Sequence, residues 1–115
     1  MTENNEIAHD CKRTILAVHD VMDVIGGKWK ISIVAALIFG KRRYSDILKE
    51  VNGISGKMLS RELKEMEADQ LISRTVMDTH PVTVQYELTE YGETLKPVIN
   101  HLAAWGFEHR KRLIG

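Results

Sequence analysis

The sequence predicts a mainly α-helical domain with a small β-hairpin, an α+β fold class. Apolar residues recur every three or four positions through most of the chain, which is typical of amphipathic helices. After Gln70 this interval changes to two and β-branched residues become frequent, which is typical of strands. The 115 residues, of which 43% are hydrophobic, are enough for one domain with a single core.

Two helices are predicted before the first basic segment. The first covers residues 14–25, where apolar positions share one face, and it ends at Gly26-Gly27. The second covers residues 28–39 and is apolar on nearly all sides, so we expect it to be buried. Gly40 ends this helix, and Lys41-Arg42-Arg43 follows as a basic connector.

The next two helices form a predicted helix-turn-helix. A short third helix covers residues 44–51 with Ser45 as its N-cap, and Asn52-Gly53 marks the turn after it. Ser55 then caps a fourth helix over residues 56–69. The inward-facing side chains of this helix are Leu59, Leu63 and Met66. Two helices joined by a short turn are typical of DNA-binding domains.

A β-hairpin and a final helix complete the predicted domain. Residues 72–77 and 82–88 form the hairpin. A hairpin directly after a helix-turn-helix is the wing of a winged helix-turn-helix. Thr89 caps the final helix, which Pro97 should kink and Gly106 should end or bend.

Composition predicts the domain organisation and the compartment. We expect a flexible arm over residues 1–13, and a winged helix-turn-helix domain with flanking dimerisation helices over residues 14–112. The polar, acidic N-terminus is unlike a signal peptide, and no apolar run approaches the ~20 residues of a membrane span. The lone Cys11 cannot form an intramolecular disulfide and fits a reducing compartment, so we expect a cytoplasmic protein.

The residues present do not predict an enzyme. The histidines are scattered and form no H-x-x-x-H or H-E-x-x-H pair, and one cysteine cannot build a cysteine-based zinc site. The sequence has no glycine-rich phosphate loop. We therefore expect no catalytic residue, no metal and no cofactor.

The charges are unevenly distributed although the formal net charge is zero. Nine of the 16 cationic residues lie between Lys28 and Lys64, but only three of the 16 anionic residues do, so the middle of the chain is basic. A basic region on a neutral protein can attract nucleic acid, and the same pattern is also typical of ordinary solvated helices.

Six short segments carry a family resemblance. They are residues 23–30 (DVIGGKWK), 53–60 (GISGKMLS), 63–69 (LKEMEAD), 74–76 (RTV), 84–92 (VQYELTEYG) and 105–106 (WG). In this order and spacing they resemble the HxlR family of bacterial winged-helix transcriptional regulators. The resemblance implies a homodimeric repressor or activator that binds a palindromic operator in double-stranded DNA, with a dimer built from the first and last helices.

The chain departs from the family pattern at three positions. Gly56 stands where the family often has Gln at the start of the recognition helix, which removes one candidate base contact. Thr83 stands where an Arg is common in the wing, which removes one candidate phosphate contact. Cys11 lies farther from Trp29 than the frequent N-terminal Cys of the family, which argues against an inherited sensing role.

The polar side of the fourth helix is the predicted DNA-reading surface. Its residues are Lys57, Ser60, Arg61 and Lys64. Their spacing of three and four places them on one face, and the N-terminal part of a recognition helix reads base edges in the major groove. Arg61 suits bidentate contact with guanine, and Lys57 and Lys64 suit phosphates. An ordinary charged, solvated helix face has the same pattern.

Further DNA contacts are predicted around this helix. The candidates are Ser55 at its start, Arg43, Ser45 and Lys49 before it, and Arg74 and His80 in the wing. Simple solvation is the alternative explanation for each of them, and we expect a modest contribution from the wing.

The first and last helices carry more apolar surface than a domain of 115 residues can cover. Surplus apolar surface is typical of a partner interface. The predicted dimer contacts are Ile15, Val18, Met22, Leu95, Ile99, Leu102 and Trp105. The alternative is a monomer with a larger core.

Cys11 is the residue through which a regulatory signal could act. Lys12 and Arg13 favour the thiolate of Cys11, which makes Cys11 a candidate redox sensor, and a free cysteine with no sensing role is the alternative. The sequence does not identify the inducer.

The zero net charge favours a winged-helix protein-interaction module without specific DNA binding as the alternative function. RNA binding is disfavoured because the strands carry no stacked aromatic residues.

Overall fold

A computed structural model describes residues 11–114 of the chain. It confirms the predicted fold class, because the domain is mainly helical with a small antiparallel sheet in the order of a winged helix-turn-helix. The elements are α1 (Cys11–Ile25), α2 (Lys30–Leu37), β1 (Arg42–Arg43), α3 (Tyr44–Glu50), α4 (Gly56–Ala68), β2 (Ile72–Met77), β3 (Thr83–Leu88), α5 (Glu90–Glu93) and α6 (Leu95–Ile114). None of the described helices is long and apolar enough to cross a membrane.

The predicted N-terminal arm lies mostly outside the described residues. Positions 1–10 belong to the part of the chain about which the structure says nothing, and residues 11–13 form the beginning of α1. The first helix therefore includes three residues that the sequence pattern assigned to the arm.

The wing belongs to a three-stranded sheet in the order β1-β3-β2. The predicted hairpin is present as β2 and β3. The prediction of a plain basic connector is wrong, because Arg42 and Arg43 form a strand that pairs with Tyr86 and Gln85 of β3. A strand of two residues is too short to show a period in the sequence, and it forms here because β3 offers backbone partners at its edge.

The core lies between α2, α3, α4 and the sheet. Its most deeply buried side chains are Ile33, Val34, Leu37, Ile47, Leu59, Leu63, Met66, Leu71 and Ile72. The prediction that the second helix is buried holds for only part of its surface, because Ile31 and Ala35 are exposed on one side of α2. Phe39 lies beyond the end of α2 and is 98% exposed. An apolar helix is buried only on the sides that other elements reach.

Two predicted helix caps are confirmed. Ser55 Oγ accepts a hydrogen bond from Met58 N at 3.1 Å at the start of α4. Thr89 Oγ1 accepts one from Gly92 N at 2.9 Å at the start of α5. Both hydroxyls satisfy backbone N–H groups that have no partner within their helix.

Three other local predictions need correction. Ser45 does not cap α3, because the helix already begins at Tyr44. Pro97 does not kink one long helix, because the helix is interrupted at Thr94 and begins again as α6. The proline lacks an N–H and its ring crowds the carbonyl four residues earlier, which explains the break. Gly106 does not end α6, since a glycine costs only about 1 kcal/mol inside a helix.

Candidate nucleic-acid interface

α4 presents an apolar side to the core and a polar side to solvent. Leu59, Leu63 and Met66 are buried, which sets the rotation of the helix about its axis. The four residues of the predicted DNA-reading surface are all exposed: Lys57, Ser60, Arg61 and Lys64. The structure therefore brings these four side chains to one side of a helix that is firmly seated in the core.

Tyr44 connects the start of α3 to the first turn of α4. Its hydroxyl donates to the carbonyl oxygen of Gly56 at 3.0 Å and lies 3.1 Å from Ser60 Oγ. Because the one proton of Tyr44 goes to Gly56, Ser60 is the donor to Tyr44. Ser60 therefore already has a hydrogen-bond partner within the chain. Sequence reasoning missed Tyr44, because no local pattern identifies a partner 12 or 16 positions away.

The polar residues before α4 differ in whether another side chain holds them. Arg43 Nε donates to Asp46 Oδ2 at 3.1 Å, and this hydrogen bond lowers the pKa of Asp46. Lys49 is exposed in the last turn of α3, and none of the ion pairs in the described part of the chain involves it. Ser45 is exposed at the second position of α3.

The start of α3 and the wing enclose an open cleft of about 250 Å³. Arg43 and Ser45 line it from one side and Thr83 of β3 from the other. Arg74 and His80 are exposed but do not line this cleft, because Arg74 lies within β2 and His80 lies in the turn between β2 and β3. The structure therefore brings Arg43 and Ser45 next to the wing and leaves the two predicted wing donors elsewhere on the hairpin.

A buried cation joins α2 to α4 beside Arg61. Lys30 Nζ lies 2.7 Å from Glu62 Oε2 and 2.6 Å from Glu65 Oε2, and Lys30 is only 8% exposed. Glu62 Oε2 is buried, and the charge of the neighbouring Lys30 ammonium compensates for its burial. The other oxygen of Glu65, Oε1, lies 3.8 Å from Arg61 Nε. We call these four residues the Lys30 cluster.

The ion pairs of the cluster shift the pKa values of two of its members. Burial lowers the pKa of Lys30, but its bonds to Glu62 and Glu65 outweigh burial, and the pKa is raised from 10.5. The hydrogen bond from Lys30 lowers the pKa of Glu65 from 4.5. Lys30 and Glu65 therefore both stay ionised across the neutral range. Sequence reasoning missed the cluster, because Lys30 stands at the start of an otherwise apolar helix.

α1 and α6 expose large apolar side chains. Five predicted dimer residues are between 48% and 70% exposed: Ile15, Val18, Met22, Leu102 and Trp105. Leu95, in contrast, is buried in the core of its own chain, and Ile99 packs against that core. Leu95 is therefore removed from the surface that is available to a partner, whereas Ile99 is only partly buried.

Cys11 is exposed at the start of α1, and its thiol is free. Lys12, Ile15 and His19 lie on the same exposed patch of the helix. Within residues 11–114, no group of three metal-binding side chains comes together that could hold an ion.

The chain matches one family model and several known proteins. The family model describes an HxlR-like helix-turn-helix and matches residues 24–113. The HTH-type transcriptional regulator YtcD of Bacillus subtilis (strain 168) is 41% identical over 104 residues, which cover 90% of this chain and 82% of YtcD. The crystal structure of YtcD has a TM-score of 0.77 at 42% identity and covers 82% of this chain and 96% of its own.

The structure is also similar to that of a redox regulator, HypR. Its reduced form has a TM-score of 0.78 at 38% identity, covering 84% of this chain and 96% of its own. Its oxidized form has a TM-score of 0.73 at 38% identity, covering 80% and 95% of the two chains.

Proposed function

The chain belongs to the HxlR-like helix-turn-helix family of DNA-binding transcriptional regulators, and on this premise we propose that it binds a palindromic operator as a homodimer in the cytoplasm. The exposed cationic side of α4 carries this proposal. Because the opposite side is anchored in the core, the helix can enter the major groove without disturbing the fold.

The exposed residues of α4 have different proposed roles. Arg61 reads a base, since its planar guanidinium can donate two parallel hydrogen bonds to O6 and N7 of guanine. Lys57 and Lys64 bind phosphates and position the helix, since an ammonium acts as a point charge. The remaining proposed contacts are Arg43, Ser45, Lys49, Ser55, Ser60, Arg74 and His80.

We expect Arg61→Ala to weaken operator binding by about 1–3 kcal/mol and to relax the base preference at one position of each half-site. The operator is first selected from random duplexes with the purified chain, and affinity is then measured by fluorescence anisotropy. Lys111→Ala is the matched control, because it also removes an exposed cation, from α6, and should bind like the wild type. Unchanged affinity and base preference in Arg61→Ala would contradict the assigned role.

The same titration separates a regulator from a protein-interaction module. A DNA-binding regulator loses affinity steeply as the salt concentration rises, because phosphate contacts release counterions. A module without DNA binding would select no duplex and show no such dependence. Enrichment of a palindrome favours the regulator.

The dimer proposal is supported by the apolar side chains that α1 and α6 expose. α1 has 15 residues and buries only Ile25, so most of its apolar side is open to a partner. A twofold axis through these helices would place the two recognition helices on one face of the DNA, about 34–36 Å or a multiple of this distance apart.

Cys11 supports a proposed response to oxidants. It is the only cysteine of the chain, so a disulfide between two Cys11 thiols joins two chains. The similarity to HypR, a redox regulator, also favours such a response. Diamide would accept the two hydrogens that two Cys11 thiols release when they form one disulfide.

We expect diamide to change the operator affinity of the wild type and to leave that of Cys11→Ser unchanged, since a bridge between the α1 helices alters the spacing of the recognition helices. Non-reducing electrophoresis shows whether the covalent dimer has formed. Oxidised wild type that binds like the reduced protein would contradict the response.

A further inference from the structure

Glu65 lies between a buried cation and an exposed one. Its Oε2 is 2.6 Å from Nζ of the buried Lys30, and its Oε1 is 3.8 Å from Nε of the exposed Arg61. The shorter contact is a charge-assisted hydrogen bond, and the longer one is a loose ion pair in solvent. Lys30 therefore has the stronger hold on this carboxylate.

We propose that Lys30 is a positioning residue for DNA recognition, which draws the Glu65 carboxylate toward α2 and leaves the Arg61 guanidinium free to meet a base. This inference rests on the proposed role of Arg61. Guanine and Glu65 compete for Arg61, because both present acceptors to the same donor groups. A carboxylate released on the DNA side of α4 would also repel phosphates.

The position of Lys30 suits this role. Its stem is covered by protein and its ammonium contacts two carboxylates of α4, so the contact also holds α4 against α2. The side chains of Glu62 and Lys30 are 11% and 10% exposed, whereas those of Glu65 and Arg61 are 48% and 68% exposed. The cluster thus runs from the core to the DNA-reading surface.

The test must separate this electrostatic role from a structural one. Replacing Lys30 alone leaves Glu62 as a buried carboxylate without a counter-charge, which would destabilise the fold. Lys30→Met is therefore combined with Glu62→Gln, which removes both buried charges. Urea denaturation establishes that each variant is folded before binding is measured, and Lys30→Gln with Glu62→Gln is used if the first pair is unfolded.

The experiment compares Glu65→Gln in two backgrounds by fluorescence anisotropy on the selected operator. In the wild type, where Lys30 already holds Glu65, we expect Glu65→Gln to change the affinity by less than about twofold. In the variant without Lys30, where Glu65 is free to pair with Arg61, the same change should raise the affinity by about three- to fivefold. Glu67→Gln removes an exposed carboxylate from the same helix and should have equal effects in both backgrounds.

The outcomes distinguish the two proposals. Equal effects of Glu65→Gln in both backgrounds, with Arg61→Ala still weakening binding, would overturn the role of Lys30 and leave the proposed function intact. Normal operator affinity in Arg61→Ala would instead overturn the role of Arg61, and the role of Lys30 with it. Rescue by Glu65→Gln only where Lys30 is absent would support the inference, because a merely structural defect is not repaired by removing a carboxylate.

Discussion

Gly92→Ala is expected to destabilise the domain by about 3 kcal/mol, a large part of the stability of a small protein. A Cβ atom at Gly92 would lie 2.0 Å from the carbonyl oxygen of Leu71 and 3.0 Å from its carbonyl carbon. Leu71 is held in place, because it is buried and its carbonyl accepts a hydrogen bond from Thr89 N at 3.0 Å. The free energy of unfolding is measured by urea denaturation at a matched protein concentration.

Gly106→Ala is the matched control for this prediction. Gly106 lies inside α6. Apart from its two chain neighbours and the adjacent backbone of the same helix, no described atom lies within 4 Å of an added Cβ atom. The substitution should therefore stabilise the helix by about 0.5–1 kcal/mol. Equal stability of Gly92→Ala and the wild type would mean that α5 does not approach the start of β2 as closely as the structure has it.

Leu102→Glu is expected to produce a monomer and to lower the operator affinity about a hundredfold or more. Leu102 shares one side of α6 with Val98 and Trp105, and all three are exposed in the single chain. In a twofold dimer the substitution would place two unpaired carboxylates in one apolar interface, where each loses hydration. A monomer contacts only one half-site, so it loses the affinity that a dimer gains by binding both half-sites at once. Sedimentation equilibrium measures the molecular mass, and fluorescence anisotropy measures the affinity for the operator.

Asn100→Glu is the control for the dimer prediction. Asn100 is exposed and lies two positions from Leu102, on another side of α6, so the same charge is added away from the apolar stripe. This variant should remain dimeric and bind the operator normally. Because Leu102 is 48% exposed in the single chain, Leu102→Glu should fold, and circular dichroism checks this. A stable Leu102→Glu dimer would exclude this side of α6 as the interface.

Local signals explain why α4 could be predicted closely. Its N-cap Ser55 satisfies an N–H three residues away, and its apolar positions recur at helical spacing. The same reasoning placed Thr89 at the start of α5. No local signal predicted β1, because that strand forms by pairing with β3, more than 40 positions farther along the chain.

The candidate site was predicted only in part for a similar reason. The exposed cations of α4 can be predicted from the helical spacing of its apolar residues. Lys30, however, contacts Glu65 from 35 positions away, and Tyr44 contacts Ser60 from 16 positions away. Leu95 has the spacing of a surface stripe, yet it is buried in the core of its own chain, and Ile99 packs partly against that core. A hydrophobic period shows which side of a helix is apolar, and it does not show whether the same chain or a partner covers that side.

The amino-acid sequence by itself determined the order of helices and hairpin, two helix caps and the family, because these features depend on residues a few positions apart or on motifs in a set order. Tertiary structure alone decided which polar side chains of α4 are free and which are occupied. Lys57 and Lys64 face solvent, whereas Glu62 and Glu65 turn to Lys30. Ion pairing and burial depend on distances between remote segments, and packing of the whole core sets those distances.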